Sequence, residues 1–182
     1  MSAADRPAAG GLAAGAPEAG GPAPGTVGAG GLRIGAGDLA RIHAHGEAAY
    51  PEECCGVLIG RDGAGGQPAT VERILAADNE RADSRHNRYV ISPRSLLAAQ
   101  REARASGLDV VGYYHSHPDH PARPSEFDRE HAWPGTSYVI VSVERGKAVD
   151  CRSWRLRDDR AAFEEEAMVA AGAESATAAS RS

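Results

Sequence analysis

The chain is short of cysteine, has no excess of basic residues and contains no long hydrophobic run, and each shortage removes a class of function. Three cysteines in 182 residues, two of them adjacent at Cys54 and Cys55, do not make the framework of a disulfide-stapled secreted domain, and a reducing, cytoplasmic setting is expected. The 20 Lys and Arg against 25 Asp and Glu leave a net charge of −5. A dedicated nucleic-acid or anionic-membrane binder needs basic surface to meet phosphates, so neither partner is expected. No stretch of about 18 apolar residues exists to span a membrane as a helix. The N-terminus also lacks the charged start and apolar run of a secretory signal.

What is present is enough apolar material, 42% of the chain, to bury one core. Residues 1–31 hold 10 Ala, 9 Gly and 4 Pro, too few large side chains to offset the entropy of ordering, and disorder is expected there. Residues 32–157 form the expected folded domain. Residues 158–182 are expected to open with a helix (Phe163, Ala167, Met168) and to fray into a tail. No internal repeat is visible.

Within the domain, helix and strand signals alternate. Asp38 is the expected cap of a helix running to Tyr50, stopped by Pro51. Gly56–Gly60 and Thr70–Ala76 suit a strand pair joined by the Gly-rich turn between Arg61 and Pro68. Tyr89–Ile91 suits a third strand. Ser92-Pro93 is the signature of a helix start, and Gly107 of its end. Leu108–His115, Thr136–Val143 and Val149–Leu156 are rich in strand formers. The expected fold is mixed α+β: a central, mostly antiparallel sheet flanked by helices.

The informative segment is Tyr113-Tyr-His-Ser-His-Pro118. Residues i and i+2 of a strand share a face, so His115 and His117 project together and can reach one metal ion. Pro118 cannot continue a central ladder. Asp128 follows in Pro124-Ser-Glu-Phe-Asp, where Ser125 is a good N-cap and Asp128 falls in the first turn of a short helix. Two histidines, one carboxylate and an open fourth position make the donor set of a catalytic zinc site. Such a site needs a proton carrier, and Glu52-Glu53 stands just before the strand at Gly56.

The order Glu53-Cys-Cys-Gly56, His115-Ser-His117-Pro118, Ser125-Glu-Phe-Asp128 resembles the JAMM (MPN-plus) metalloproteases over residues 32–157. The resemblance implies a cytidine-deaminase-like JAMM/MPN core. It implies one zinc held by His115, His117 and Asp128, with Glu53 as general base and Ser125 holding the oxyanion of the tetrahedral intermediate. Members cut after the Gly-Gly tail of ubiquitin-like proteins. The chain is most similar to small bacterial members acting on ubiquitin-like sulfur-carrier proteins, some of which release cysteine from the carrier's C-terminus. A Gly-Gly tail would lie along an exposed strand beside the metal.

Two other readings stay open at this level. The family has metal-free members that act as protein-interaction scaffolds, though these lack part of the ligand set. Two histidines and a carboxylate also form the facial triad of non-haem iron oxygenases. A zinc nucleobase deaminase would need a Pro-Cys-x-x-Cys segment that is absent. Cys54 and Cys55 fit packing at a buried strand. His120, in a Pro-rich loop, and His131, one turn after Asp128, flank the site in sequence. His43 and His45 lie on the first helix. Arg81, Arg85, His86 and Arg88 form a basic cluster before Tyr89.

Overall fold

The computed structural model describes residues 30–63, 65–79 and 89–171. The expected disorder of residues 1–31, apart from Gly30 and Gly31, and the basic cluster from Arg81 to Arg88 therefore lie outside the described residues. β1 (Leu32–Gly35) runs straight into α1 (Ala36–Ala49). The helix starts before the expected cap: Gly35 is the N-cap, and Asp38 sits in the first turn, where its charge still meets the helix dipole. β2 (Cys55–Arg61) and β3 (Ala69–Ala77) form the expected antiparallel hairpin. α2 (Pro93–Ala105) is capped by the Ser92 hydroxyl, which accepts the Ser95 N–H at 3.0 Å. The chain leaves α2 through Gly107 in the left-handed region, φ +65°. β4 (Asp109–Pro118), α3 (Glu126–His131), β5 (Ser137–Glu144) and β6 (Lys147–Leu156) follow.

Among the described residues the expected C-terminal helix is not formed, and the expected tail beyond residue 171 lies outside them. The place of the helix is taken by β7 (Phe163–Glu166) and β8 (Met168–Ala171). The reason lies across the sheet: Glu166 meets Arg155 at 2.7 Å and Ser153 at 2.7 Å, and Glu165 meets Arg152 at 3.3 Å. Cross-strand pairs and the open edge of β6 thus outweigh the helix propensity of the Glu run.

The strand order is β7-β6-β5-β4-β2-β3-β1-β8. Four neighbouring pairs are antiparallel, and β4–β5, β1–β3 and β1–β8 are parallel. Only Ala167 separates β7 from β8 in the chain, although they close opposite ends of this order. The sheet therefore curls until its edges meet at one segment, where the Ala167 carbonyl accepts the Leu32 N–H at 2.9 Å.

The two faces bury different cores, as period-2 alternation requires. On one face Ile42 of α1 packs with Leu58, Val111, Tyr114, Val139 and Val141. On the other, Ala99 and Ala103 of α2 pack with Val57, Ile59, Tyr89 and Ile91. Tyr89–Ile91 contributes to this second core but is not the expected strand. Its Val90 N–H is taken by the side-chain oxygen of Asn79 at 3.1 Å, so a side chain replaces a neighbouring strand there. Among the described residues no helix is long and apolar enough to cross a membrane.

Gly56 shows why the motif carries glycine. It pairs with Tyr114 across β2 and β4, and the Tyr114 ring lies on its Cα. A Cβ there would sit 2.2 Å from the ring and 2.4 Å from the Leu75 carbonyl oxygen. Gly56→Ala is expected to cost about 1–3 kcal/mol of stability by overpacking, read as a lowered thermal midpoint.

Candidate metal centre and active site

The site is assembled on the face of β4 that looks toward α2. His115 pairs with Cys55 of β2, and Ser116 carries the pairing one residue on: its N–H donates to the Cys54 carbonyl at 3.1 Å and its hydroxyl accepts the Cys54 N–H at 2.9 Å. Continuing that antiparallel register sets Glu53 opposite His117, on the same face. Burial keeps these groups dry: Glu53 is 5% exposed, His115 1%, His117 7% and Asp128 8%.

β4 ends at Pro118, and the chain after it is pinned. The Asp119 N–H donates to the Val143 carbonyl at 2.8 Å, the Ser142 hydroxyl to the His120 carbonyl at 2.7 Å, and the Trp154 indole to the Ala122 carbonyl at 2.9 Å. The Pro121 carbonyl is thereby held 3.0 Å from His117 Nδ1. A carbonyl only accepts, so Nδ1 carries the hydrogen and Nε2 presents its lone pair. Ser125 then caps α3 in a reciprocal box: its hydroxyl accepts the Asp128 N–H at 3.1 Å, and both its own N–H and its hydroxyl donate to Asp128 Oδ2, at 2.7 and 2.6 Å. The box aims the carboxylate at the histidines.

His115, His117 and Asp128 converge so that one donor atom from each lies within 4.8 Å of the others. His115 Nε2 is 3.0 Å from His117 Nε2 and 3.4 Å from Asp128 Oδ1, and His117 Nε2 is 3.7 Å from Asp128 Oδ2. Donors on one tetrahedral zinc, with bonds of about 2.0–2.2 Å, stand about 3.3–3.5 Å apart. The triangle is close to that size. Burial lowers the His115 pKa, which keeps the imidazole in its neutral, ligating form. Burial alone would raise the Asp128 carboxyl, but positive charge and hydrogen bonds from the neighbouring imidazoles hold it well below the usual range, and Asp128 in return raises the His117 pKa, so the triangle favours a positive charge within it. A buried nitrogen–nitrogen approach with a carboxylate completing the triangle is chemistry suited to a cation, and the residues fit zinc.

Around this triangle, the Tyr89 ring stacks on His115, with centroids 4.5 Å apart and planes at 25°. Burial pushes the Glu53 carboxyl up to about 8, with Asp128 adding to the rise and His117 opposing it. Burial likewise pushes the Cys54 thiol up to about 11 and Cys55 higher still, so neither is a ready thiolate. Ser125 is exposed, as is His120, which stands outside the triangle. His131 turns its Nδ1 to the Phe127 carbonyl at 2.8 Å, within its own helix, and His45 bonds the Tyr114 hydroxyl at 2.9 Å on the opposite face. β4 is paired on both sides by β2 and β5, so the strand carrying the histidines has no open edge for an extended tail. Two neighbours escaped the sequence reading. Asn79 and the ring stacking of Tyr89 have no local signature: the pairing of β3 with β2 brings Asn79 here, and packing in the second core brings Tyr89.

The family described as prokaryotic homologs of the JAB domain matches residues 36–157. A desampylase of Haloferax volcanii is 38% identical over 116 residues, 62% of this chain and 80% of that protein. A probable TtuB-protein conjugate cleaving protease of Thermus thermophilus is 32% identical over 117 residues, 64% of this chain and 74% of its own. A CysO-cysteine peptidase of Mycobacterium tuberculosis is 32% identical over 116 residues, 63% of this chain and 75% of its own.

Proposed function

The chain belongs to the family of prokaryotic homologs of the JAB domain, and from that premise we propose that it is a zinc-dependent peptidase or isopeptidase cutting the amide bond after the Gly-Gly tail of a ubiquitin-like sulfur carrier. The observation that carries the reading is the buried His115–His117–Asp128 triangle with the buried Glu53 carboxyl on the same face. Relatives named for cleaving protein conjugates and for a cysteine-bearing carrier support the substrate class. The leaving group is then either a protein amine or cysteine.

His115 and His117 through Nε2, and Asp128 through its carboxylate, would hold the metal. Zinc supplies Lewis acidity, polarising a carbonyl and making water a better nucleophile near pH 7. Glu53 takes a proton from the attacking water as the new C–O bond forms. The Ser125 hydroxyl, which donates to Asp128 Oδ2 in this structure, is exposed and turns to donate to the oxyanion. Glu53 then passes its proton to the departing nitrogen, the C–N bond breaks, and a carboxylate and an amine leave. The burial that raises the Glu53 pKa suits both halves of this task, since a base that must return its proton works best near the operating pH.

The test is a carrier protein fused through Gly-Gly to a second protein, and the same carrier ending in Gly-Gly-Cys, each followed by intact mass. Cleavage after the second glycine of either, stopped by a chelator and restored by zinc, is expected. Cleavage at neither junction would overturn the reading.

A further inference from the structure

We infer that Asn79 is a positioning residue for the base: its side-chain amide ties the main chain at Glu53 to the main chain beside Tyr89, and so sets the Glu53 carboxylate against the metal ligands. The inference rests on the peptidase reading of the site. Glu53 precedes β2, so its carbonyl lies beyond the strand ladder and needs another partner. Asn79, just past the end of β3, supplies it: Nδ2 donates to the Glu53 carbonyl at 3.3 Å. The same amide accepts the Val90 N–H on Oδ1 at 3.1 Å. A carbonyl on one side and an N–H on the other leave the amide one orientation.

The two flanks joined in this way both touch the reacting centre. On one side stands the base. On the other, Val90 follows Tyr89, whose ring stacks on His115. The opposite side of the base segment is already fixed, because Cys54 exchanges hydrogen bonds with Ser116, the residue between the two histidines. Ser116 therefore clamps the segment to β4 and Asn79 clamps it to the β3 side. Without the second clamp the carboxylate hangs from main chain held on one side only. A misplacement of about 1 Å at a catalytic group costs up to about 100-fold in rate. No charge or proton is required of Asn79.

The test uses the zinc-loaded full chain and the Gly-Gly adduct. Asn79→Ala is expected to lower kcat about 10–100-fold, with KM within about threefold and one zinc per chain. In a Glu53→Gln background the same substitution should remove less than about twofold more, since a residue acting through the base has nothing left to position. Asn79→Asp keeps the acceptor for Val90 but offers the Glu53 carbonyl no donor; its kcat should fall as in the alanine variant. Amide exchange in metal-stripped protein reads the bridge without any activity. Val90 should exchange about tenfold faster in Asn79→Ala and stay protected in Asn79→Asp.

Wild-type kcat in either variant, a full multiplicative loss in the Glu53→Gln background, or unchanged Val90 protection in Asn79→Ala would overturn the inference. A Glu53→Gln enzyme with wild-type turnover would defeat the assignment of Glu53 as base and this role with it, whereas a wild-type chain that cleaves no Gly-Gly adduct would defeat the peptidase reading. The exchange result tells the two failures apart. Should the alanine variant not fold, the aspartate variant carries the kinetic test alone.

Discussion

Glu53→Gln is expected to lower turnover about 10²–10⁴-fold while leaving one zinc per chain, the usual size of a general acid–base contribution. Glutamine keeps the size and hydrogen-bonding reach of the side chain but cannot accept a proton from water and return it to a leaving amine. Zinc should stay because the proposed ligands are His115, His117 and Asp128, and Glu53 is not among them. The same substitution should act in the opposite direction on the stability of metal-stripped protein. In the fold the Glu53 carboxyl is pushed by burial from 4.5 up to about 8. A carboxyl raised in this way stabilises the fold fully below its ordinary pKa and loses that contribution as pH climbs through 8. Glutamine has no such charge to bury. Metal-stripped Glu53→Gln should therefore match the wild type near pH 4 and exceed it by about 2–4 kcal/mol at pH 8. Denaturant titrations at the two pH values check this, and equal stabilities at pH 8 would contradict it.

His115→Ala is expected to abolish metal binding and activity together. His115 supplies one corner of the triangle, 3.0 Å from His117 Nε2 and 3.4 Å from Asp128 Oδ1. Removing it leaves two donors where zinc needs three from the protein. The side chain is also 1% exposed and lies under the Tyr89 ring, so the substitution opens a cavity. A thermal midpoint lowered by about 1–3 kcal/mol worth of stability is therefore expected alongside. Elemental mass spectrometry should find only a trace of zinc in the folded variant, and cleavage should fall to background. Full zinc content in the variant would place the metal elsewhere.

The histidine pair was legible because it needs only period 2: two residues apart in a strand, His115 and His117 must share a face. The Ser125–Asp128 box was legible for a similar reason, since capping is a contact between residues three apart. Glu53 was reached only through its resemblance to a family position; its relation to His117 is a register between β2 and β4, and register across 60 residues has no local signal. Asn79 was invisible for the same reason. It bonds Glu53, 26 residues before it, and Val90, 11 after it, and an asparagine after a strand otherwise suggests only a turn. The C-terminal segment misled through propensity. Phe163, Ala167 and Met168 with three glutamates fit a helix taken alone, and only Arg152 and Arg155 on the neighbouring strand make Glu165 and Glu166 better placed in β7. Tyr89–Ile91 misled through composition, since aromatic and β-branched residues suit buried extended chain whether or not a ladder runs beside it.

The decisive measurement is a zinc titration of metal-stripped wild-type protein, with cleavage of the Gly-Gly adduct as the readout. Activity should rise in proportion to added zinc and stop rising at one equivalent per chain. Activity indifferent to zinc, or restored by ferrous iron and not by zinc, would contradict the zinc peptidase reading.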